Sequence, residues 1–481
     1  MTERVIEIFK EICAIPHGSG NCEKIGEYLL RFAAKRGLEA YKDNAGNVLI
    51  KAPGVNESYK DCETVILQGH QDMVCVKEDG CDIDMRSDPL EIRIENGIIS
   101  ARGTSLGADD GIGVAMALAV IENTKNRRPP IEALFTVDEE TGMGGAAAFD
   151  TSLLRGKKLI NLDSEEEGVV TCSCAGGERV DVRIPLSETA GGNDCCLRIS
   201  VSGLIGGHSG CDIHKGRQNA IRIITEMLEA VSEKDFKLFE LCGGRFDNVI
   251  CSDAYAVIAV DPTGKEMLMN NLRSMGIKLK DKYGSIEKGV TVCVDELSVP
   301  KDVAATKKIL GIKETKEFLS VMKEIPQGVV MMMEERPESV DTSMNLGTVS
   351  FSENRLKMTF SLRSCCDERK KDLEKKISDS FLKIKGCELK VRDPYPAWQF
   401  ATSSPLRDAL CEAYREEFGS PMDVAVTHGG LECGYFASRI EGCEIVSIGP
   451  QIDDIHSVKE KVSVDSIERT VKLLSALLRR L

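Results

Sequence analysis

Apolar and polar positions follow three regimes along the chain. From the first residue to about residue 177, stretches of helical period alternate with short apolar runs. Residues 5–12 and 25–35 carry the helical period, 48–51 and 65–68 read as short buried strands, and 111–121 reads as a further helix. Such alternation predicts an α/β layer built on a mostly parallel sheet. Residues 79–101 break it with a hairpin, in which Asn96-Gly97 turns the chain between runs at 90–94 and 98–100.

The middle reads differently. Between about residues 184 and 389 the order strand, helix, strand, strand, helix occurs twice. Strands are expected at 197–202, 249–259, 347–350 and 356–362, and helices at 219–231, 308–322 and 369–381. This predicts two stacked α+β units with open antiparallel sheets. Pro394-Tyr395-Pro396 then interrupts any regular element, and helix–strand alternation returns.

Composition narrows the class. A chain of 481 residues is too long for one ordinary core, so two or three domains are expected. No run approaches the roughly 18 apolar residues of a membrane span, and the opening MTERVIEIFKEI lacks a signal-peptide core. A cytoplasmic protein is expected. A net charge of −15 argues against nucleic acid and against an anionic membrane as partners. Nineteen cysteines are scattered without paired C-x-x-C motifs, and they read as small buried side chains in a reducing cell.

The candidate chemistry lies at the ends of the apolar runs. His70 in VILQGHQD, Asp109 in SLGADDGIG, Glu140 in ALFTVDEE, Asp163 in LINLDSEEEG and His456 in GPQIDDIHS each end or follow one. Imidazole and carboxylate are the donors a borderline divalent ion accepts. Strand ends are also where open α/β sheets place their sites. Asp72, two residues after His70, can stand behind the imidazole and fix its tautomer. Glu139, beside Glu140, is a carboxylate left over to move protons in amide hydrolysis. The set predicts a two-metal hydrolase.

These stretches, with AIPHGSGN, GGHSGCDIH and THGGLECGYF, occur in order over almost the whole chain. They resemble the co-catalytic zinc aminopeptidase, dipeptidase and aminoacylase superfamily. Within it they are most similar to the cytosolic aminoacyl-histidine (Xaa-His) dipeptidase branch. The resemblance implies a zinc-exopeptidase-like catalytic domain, residues 1–184 and 396–481, with an inserted α+β lid at 185–395, duplicated to judge by its length. It implies that His70 and Asp163 hold one divalent ion, that Glu140 and His456 hold a second, and that Asp109 bridges them. Zinc is the expected metal, with cobalt or manganese as alternatives. Asp72 would orient His70, and Glu139 would be the general base.

The resemblance further implies that His208 and Asn248 stabilise the oxyanion and that Arg363 clamps the substrate's terminal carboxylate. Glu432 would either face the substrate's free amine or serve as a structural carboxylate. The branch usually follows the bridging Asp with Asn-Gly, whereas this chain has Asp110-Gly111. A cis peptide bond is expected between Asp109 and Asp110. The expected activity is hydrolysis of short peptides, Xaa-His dipeptides among them. Deacylation of N-acyl amino acids on the same metals, or metal-dependent binding without turnover, stand as alternatives. A homodimer is compatible with either lid: a duplicated one lets His208 act within its own chain, and a single one needs a partner subunit.

Overall fold

The computed structural model describes residues 1–189, 194–300, 303 and 306–481. They form two compact units. One comprises Met1–Cys174, Ala397–Thr427 and Leu431–Leu481, and the other Ala175–Pro396 with His428–Gly430. The first boundary therefore falls at Cys174, earlier than the expected residue 184. The reason is the strand Gly176–Pro185, which pairs along its length with Arg355–Ser364 in the middle sheet.

The first unit is built on an eight-stranded mixed sheet. Val65–His70 lies between Ile131–Thr136 and Lys158–Asn161, parallel to both, and Glu444–Ser447 extends the parallel set. Glu39–Lys42 and Val48–Ala52 close one edge antiparallel. Val65, Ile66, Leu67, Ala133, Leu134 and Phe135 are all buried, so the central strands are covered on both faces. The helices Thr2–Cys13, Ala108–Glu122 and Val464–Leu478 pack into that cover, with Phe9, Ile112 and Leu474 in one core. The helix Ala108–Glu122 is buried along its length to Ile121, which its apolar run from Gly111 to Ile121 requires. The hairpin forms between Ile92–Glu95 and Ile98–Ala101, its Asn96 and Gly97 both at positive φ (+51° and +77°).

The second unit carries one antiparallel sheet of nine strands. Its two α+β stretches meet side by side, where Gly243 of Phe236–Gly243 pairs with Val349 of Val340–Ser352. The expected pair of stacked sheets is thus a single sheet. Val340–Ser352, thirteen residues long, pairs with Gly328–Met332 near its start and still reaches the other half near its end. Glycine closes the seam. A Cβ on Gly347 would lie 2.3 Å from the Asp247 carbonyl oxygen, and one on Gly244 would lie 1.8 Å from that of Gly347.

Three expectations shift here. The strand expected from 249 begins at Ala254, and the helix expected from 308 begins at Ile312, after a short strand at Lys308–Ile309. The strand Glu388–Tyr395 runs through Pro394, which was expected to interrupt it. Pro394 is tolerated because this is an edge strand whose register slips between Arg392 and Tyr395, with Asp393 at φ +51°.

Among the described residues no disulfide joins any of the nineteen cysteines; seven are buried, and Cys75, Cys211 and Cys293 are exposed. Among the described residues no helix is long and apolar enough to cross a membrane.

Candidate metal centre

The first unit's sheet brings the donors together. His70 ends Val65–His70, Glu139 and Glu140 follow Ile131–Thr136, and Asp163 follows Lys158–Asn161. These strands are parallel neighbours, so their carboxyl ends lie side by side. Asp109 opens the helix Ala108–Glu122, and its peptide bond to Asp110 is cis. His456 stands in the loop between the short strands Ile452–Asp453 and Lys461–Ser463, at φ +55°.

His70 Nε2 lies 3.1 Å from Asp109 Oδ1 and 3.2 Å from Asp163 Oδ1. His456 Nε2 lies 3.1 Å from Asp109 Oδ2 and 3.0 Å from Glu140 Oε1. Each oxygen of Asp109 therefore faces its own imidazole and carboxylate. Donor atoms of His70, Asp109 and Glu140 all fall within 4.8 Å of one another. Two donor sets sharing one carboxylate is the layout that suits two cations side by side.

The charge balance points the same way. Among the described residues, the only ion-pair partners of Asp109, Glu140 and Asp163 are the two imidazoles. No lysine or arginine offsets them, and buried carboxylates need compensation. Burial opposes a charge on His70, yet Asp163, Asp109 and Asp72 raise its pKa well above the ordinary value. Hydrogen bonds to Asp109 and Glu140 push His456 up to about 10. Asp163 is pushed up to about 7 by burial, with Asp109 adding to the effect. Burial, followed by Asp163, Glu432 and Glu140, raises Glu139 well above the carboxylate range. Divalent ions compete with protons for the same donors. The nitrogen and oxygen set fits zinc, cobalt or manganese.

Asp72 does more than the sequence suggests. His70 Nδ1 lies 3.0 Å from the main-chain oxygen of Asp72 and 3.6 Å from its carboxylate. The carboxylate instead accepts from Ser19 Oγ at 2.8 Å and from the N–H groups of Glu139 and Glu140 at 3.1 and 3.3 Å. One side chain so fixes both glutamates, while its backbone fixes the imidazole. The Asp110 carboxylate accepts from the His70 N–H at 3.1 Å and the Gly113 N–H at 3.1 Å, facing backbone on both sides.

Glu432 is fully buried in this unit. Its Oε2 accepts from Gln68 Nε2 and Thr136 Oγ1, both at 2.6 Å, while Oε1 has no partner. Gln68 passes the network to Asn161 at 2.7 Å. Burial pushes Glu432 up to about 7. Of its two expected roles, the structural carboxylate matches this position.

The second unit gathers the remaining candidates. His208 pairs with Val249 in an isolated bridge, and the Ser209 N–H donates to the Asn248 carbonyl at 2.9 Å, so His208 and Asn248 are neighbours. His208 Nδ1 accepts from the N–H groups of Gly210 and Cys211 at 3.3 and 3.1 Å. That places the ring proton on Nε2 and makes it the donor. Burial and Arg363 lower the pKa of His208, which keeps the ring neutral.

Arg363 is buried, and among the described residues it meets no carboxylate. Its Nη1 donates to Tyr395 Oη at 2.9 Å, and its Nε has no partner. His428 is buried beside it, with Nε2 2.7 Å from Ser343 Oγ. Burial and Arg363 push His428 down to about 3. Ser19, Gln68 and Tyr395 carried no signal on their own. The first and last lie in AIPHGSGN and PYP, which were read for other reasons.

A fold with a strand-end cluster of this composition defines a metallohydrolase class, and sequence comparison specifies it. The chain belongs to peptidase family M20/M25/M40, whose family model matches residues 66–480. It is 34% identical over 477 residues to the cytosol non-specific dipeptidase of Escherichia coli (strain K12), covering 99% of this chain and 97% of that protein. The crystal structure of aminoacylhistidine dipeptidase from Vibrio alginolyticus superposes with a TM-score of 0.91 at 32% identity, over 99% of this chain and 96% of that one. Aminopeptidase PepT from Bacillus cereus shares the fold at a TM-score of 0.58 and 17% identity, over 99% of this chain and 98% of that one.

Proposed function

We propose that this chain is a two-metal dipeptidase that hydrolyses Xaa-His and related dipeptides to free amino acids, with zinc as the metal. One observation carries the metal assignment: Asp109 presents its two oxygens to separate imidazole–carboxylate pairs. His70, Asp163 and Asp109 would hold one ion, and His456, Glu140 and Asp109 the other. When bound, such a pair polarises the substrate carbonyl and acidifies a water.

The rest falls to the chain's own groups. Glu139, fixed through its N–H by Asp72, takes the water's proton and returns it to the leaving amine. His208 donates from Nε2 to the developing oxyanion, with Asn248 beside it. Arg363, whose buried charge meets no carboxylate among the described residues, takes the free carboxylate of the dipeptide. We read the second unit as a lid that presents these three groups. The Escherichia coli relative is by name a cytosol enzyme, and we place this chain there as well.

The test is a release assay with metal-reconstituted protein on Xaa-His dipeptides and N-acetyl amino acids. Dipeptides should be cleaved and the acetylated compounds left intact. The reverse would make the chain a deacylase. Cleavage of neither would leave a metal-binding protein without turnover.

A further inference from the structure

The loop that opens Ala108–Glu122 converges on a residue far along the sequence. The N–H groups of Leu106 and Gly107 donate to Glu460 Oε2 at 2.8 and 3.1 Å, and those of Ala108 and Asp109 donate to Oε1 at 2.7 and 3.3 Å. Gly107 adopts φ +68°, a conformation that lets four successive N–H groups turn toward one anion. Each carboxylate oxygen thus meets two donors, an arrangement that favours the ionised form over a carboxyl with its own proton to donate. Burial raises the pKa of Glu460, and these N–H groups oppose that rise.

The two donor sets rest on unequal supports. His70 ends one strand and Asp163 lies two residues past its neighbour, and the two strands pair from Val65 to Gln68. Glu140 and His456 both stand in loops, and His456 occupies a left-handed backbone conformation that a non-glycine residue adopts at a cost. Glu460 follows His456 by one turn, its N–H donating to the Ser457 carbonyl at 3.2 Å. Its chain then enters the strand Lys461–Ser463, paired with Ile98–Ser100. A single side chain therefore ties the His456 loop to the main chain of Asp109.

We infer that Glu460 is a positioning residue that holds the His456 loop against Asp109, and so sets the affinity of the His456–Glu140–Asp109 donor set for its ion. The inference rests on the two-metal reading above. It gives the second cation position a dependence that the strand-borne set does not share.

The experiment titrates metal-free wild type, Glu460→Gln and Glu444→Gln with Zn²⁺ against a chromophoric chelator. Glu444 is the matched control. It likewise caps a helix start, accepting from the Leu406 N–H at 2.6 Å and Ser404 Oγ at 3.1 Å, but from the opposite end of the strand that leads toward His456. Wild type should bind two ions. Glu460→Gln should keep one at near wild-type affinity and bind the other about 10–100-fold more weakly, the usual loss when a ligand's support is removed. Its kcat should fall at limiting metal and recover with excess metal, with KM unchanged. Glu444→Gln should lower the melting temperature of the metal-free chain and leave both ions in place.

Two ions bound to Glu460→Gln as in wild type would overturn the role of Glu460 and leave the metal centre standing. Equal weakening of both ions would overturn it too. A wild type that binds no ion would bring down the metal reading itself, and this inference with it. Should Glu460→Gln not fold, Glu460→Asp decides in the same way, because its shorter carboxylate keeps the charge but cannot span all four donors.

Discussion

Two clusters of buried charge, one in each unit, differ in sign and share a defect. In the first unit Asp109, Glu139, Glu140 and Asp163 gather around two imidazoles, and among the described residues no lysine or arginine pairs with them. In the second, Arg363 is buried among neutral groups, Tyr395 and His428, with its Nε unbonded. Buried charges elsewhere can be satisfied by backbone alone. Arg128, equally buried, places its three nitrogens on the carbonyls of Val120, Pro53, Pro129 and Ile121. Glu132 sets its carboxylate on the N–H groups of Arg155 and Gly156. Uncompensated buried charge costs stability. Where a fold retains it at two places with opposite signs, each place is suited to a ligand of the other sign: cations in one, a carboxylate in the other.

The largest effect should come from separating chemistry from cation binding inside the acidic cluster. Glu139→Gln keeps the shape but removes the base. Turnover should fall by roughly 10²–10⁴-fold, with two metal ions retained per chain. Glu140→Gln touches the His456 set instead and should lose metal first. Metal analysis and rate measured on the same preparations check both. Loss of metal in Glu139→Gln with full loading of Glu140→Gln would exchange the two roles. Full activity in both would remove the pair from the reaction.

The cationic cluster should respond more modestly and without touching metal. Arg363→Ala, or amidation of the dipeptide's terminal carboxylate, should cost about 1.5–3 kcal/mol, the worth of hydrogen bonds to a charged group. That corresponds to roughly a 10–150-fold loss in kcat/KM. The two changes should not add, since each removes the same interaction. Equal cleavage of free and amidated dipeptides would take Arg363 out of substrate recognition, and the contrast drawn above would lose its second half.

The acidic cluster was far more legible in the sequence than what supports it. His70, Glu140 and Asp163 each follow an apolar run, and once those runs are parallel neighbours their ends must meet. The hairpin at Asn96-Gly97 was legible for a similar local reason, since both residues had to accept positive φ. Glu460 was not. A lone glutamate in a polar loop carries no pattern, and its role exists only because folding brings it to the N–H groups of Leu106 to Asp109. Gln68 looked like one more strand residue until Glu432 arrived from the far end of the chain. The side-by-side sheet of the second unit was hidden for another reason: strand pairing across Gly243 and Val349 leaves no trace in the period of either strand.

The smallest effect is a pair of opposite pH slopes in the metal-free chain, one from each unit. Burial lifts Glu432 from an ordinary 4.5 to about 7. Between those values the folded state binds more protons than the unfolded one, so stability falls as pH rises. Burial and Arg363 lower His428 from 6.5 to about 3. Below 6.5 the unfolded state takes the proton and the folded state does not, so stability falls as pH drops. Each group contributes at most about 1.4 kcal/mol per pH unit. Trp398, the one tryptophan, belongs to the first unit, and its fluorescence in urea unfolding should carry the Glu432 slope. Glu432→Gln should flatten it between about pH 5 and 7. Amide exchange of the strand Val340–Ser352 should carry the other slope, and His428→Asn should flatten that one between about pH 4 and 6. A Trp398 transition that instead strengthens from pH 5 to 7 would mean that Glu432 is ionised in the folded metal-free chain. Its carboxylate would then have a partner, and the first unit would be less short of positive charge than its geometry indicates.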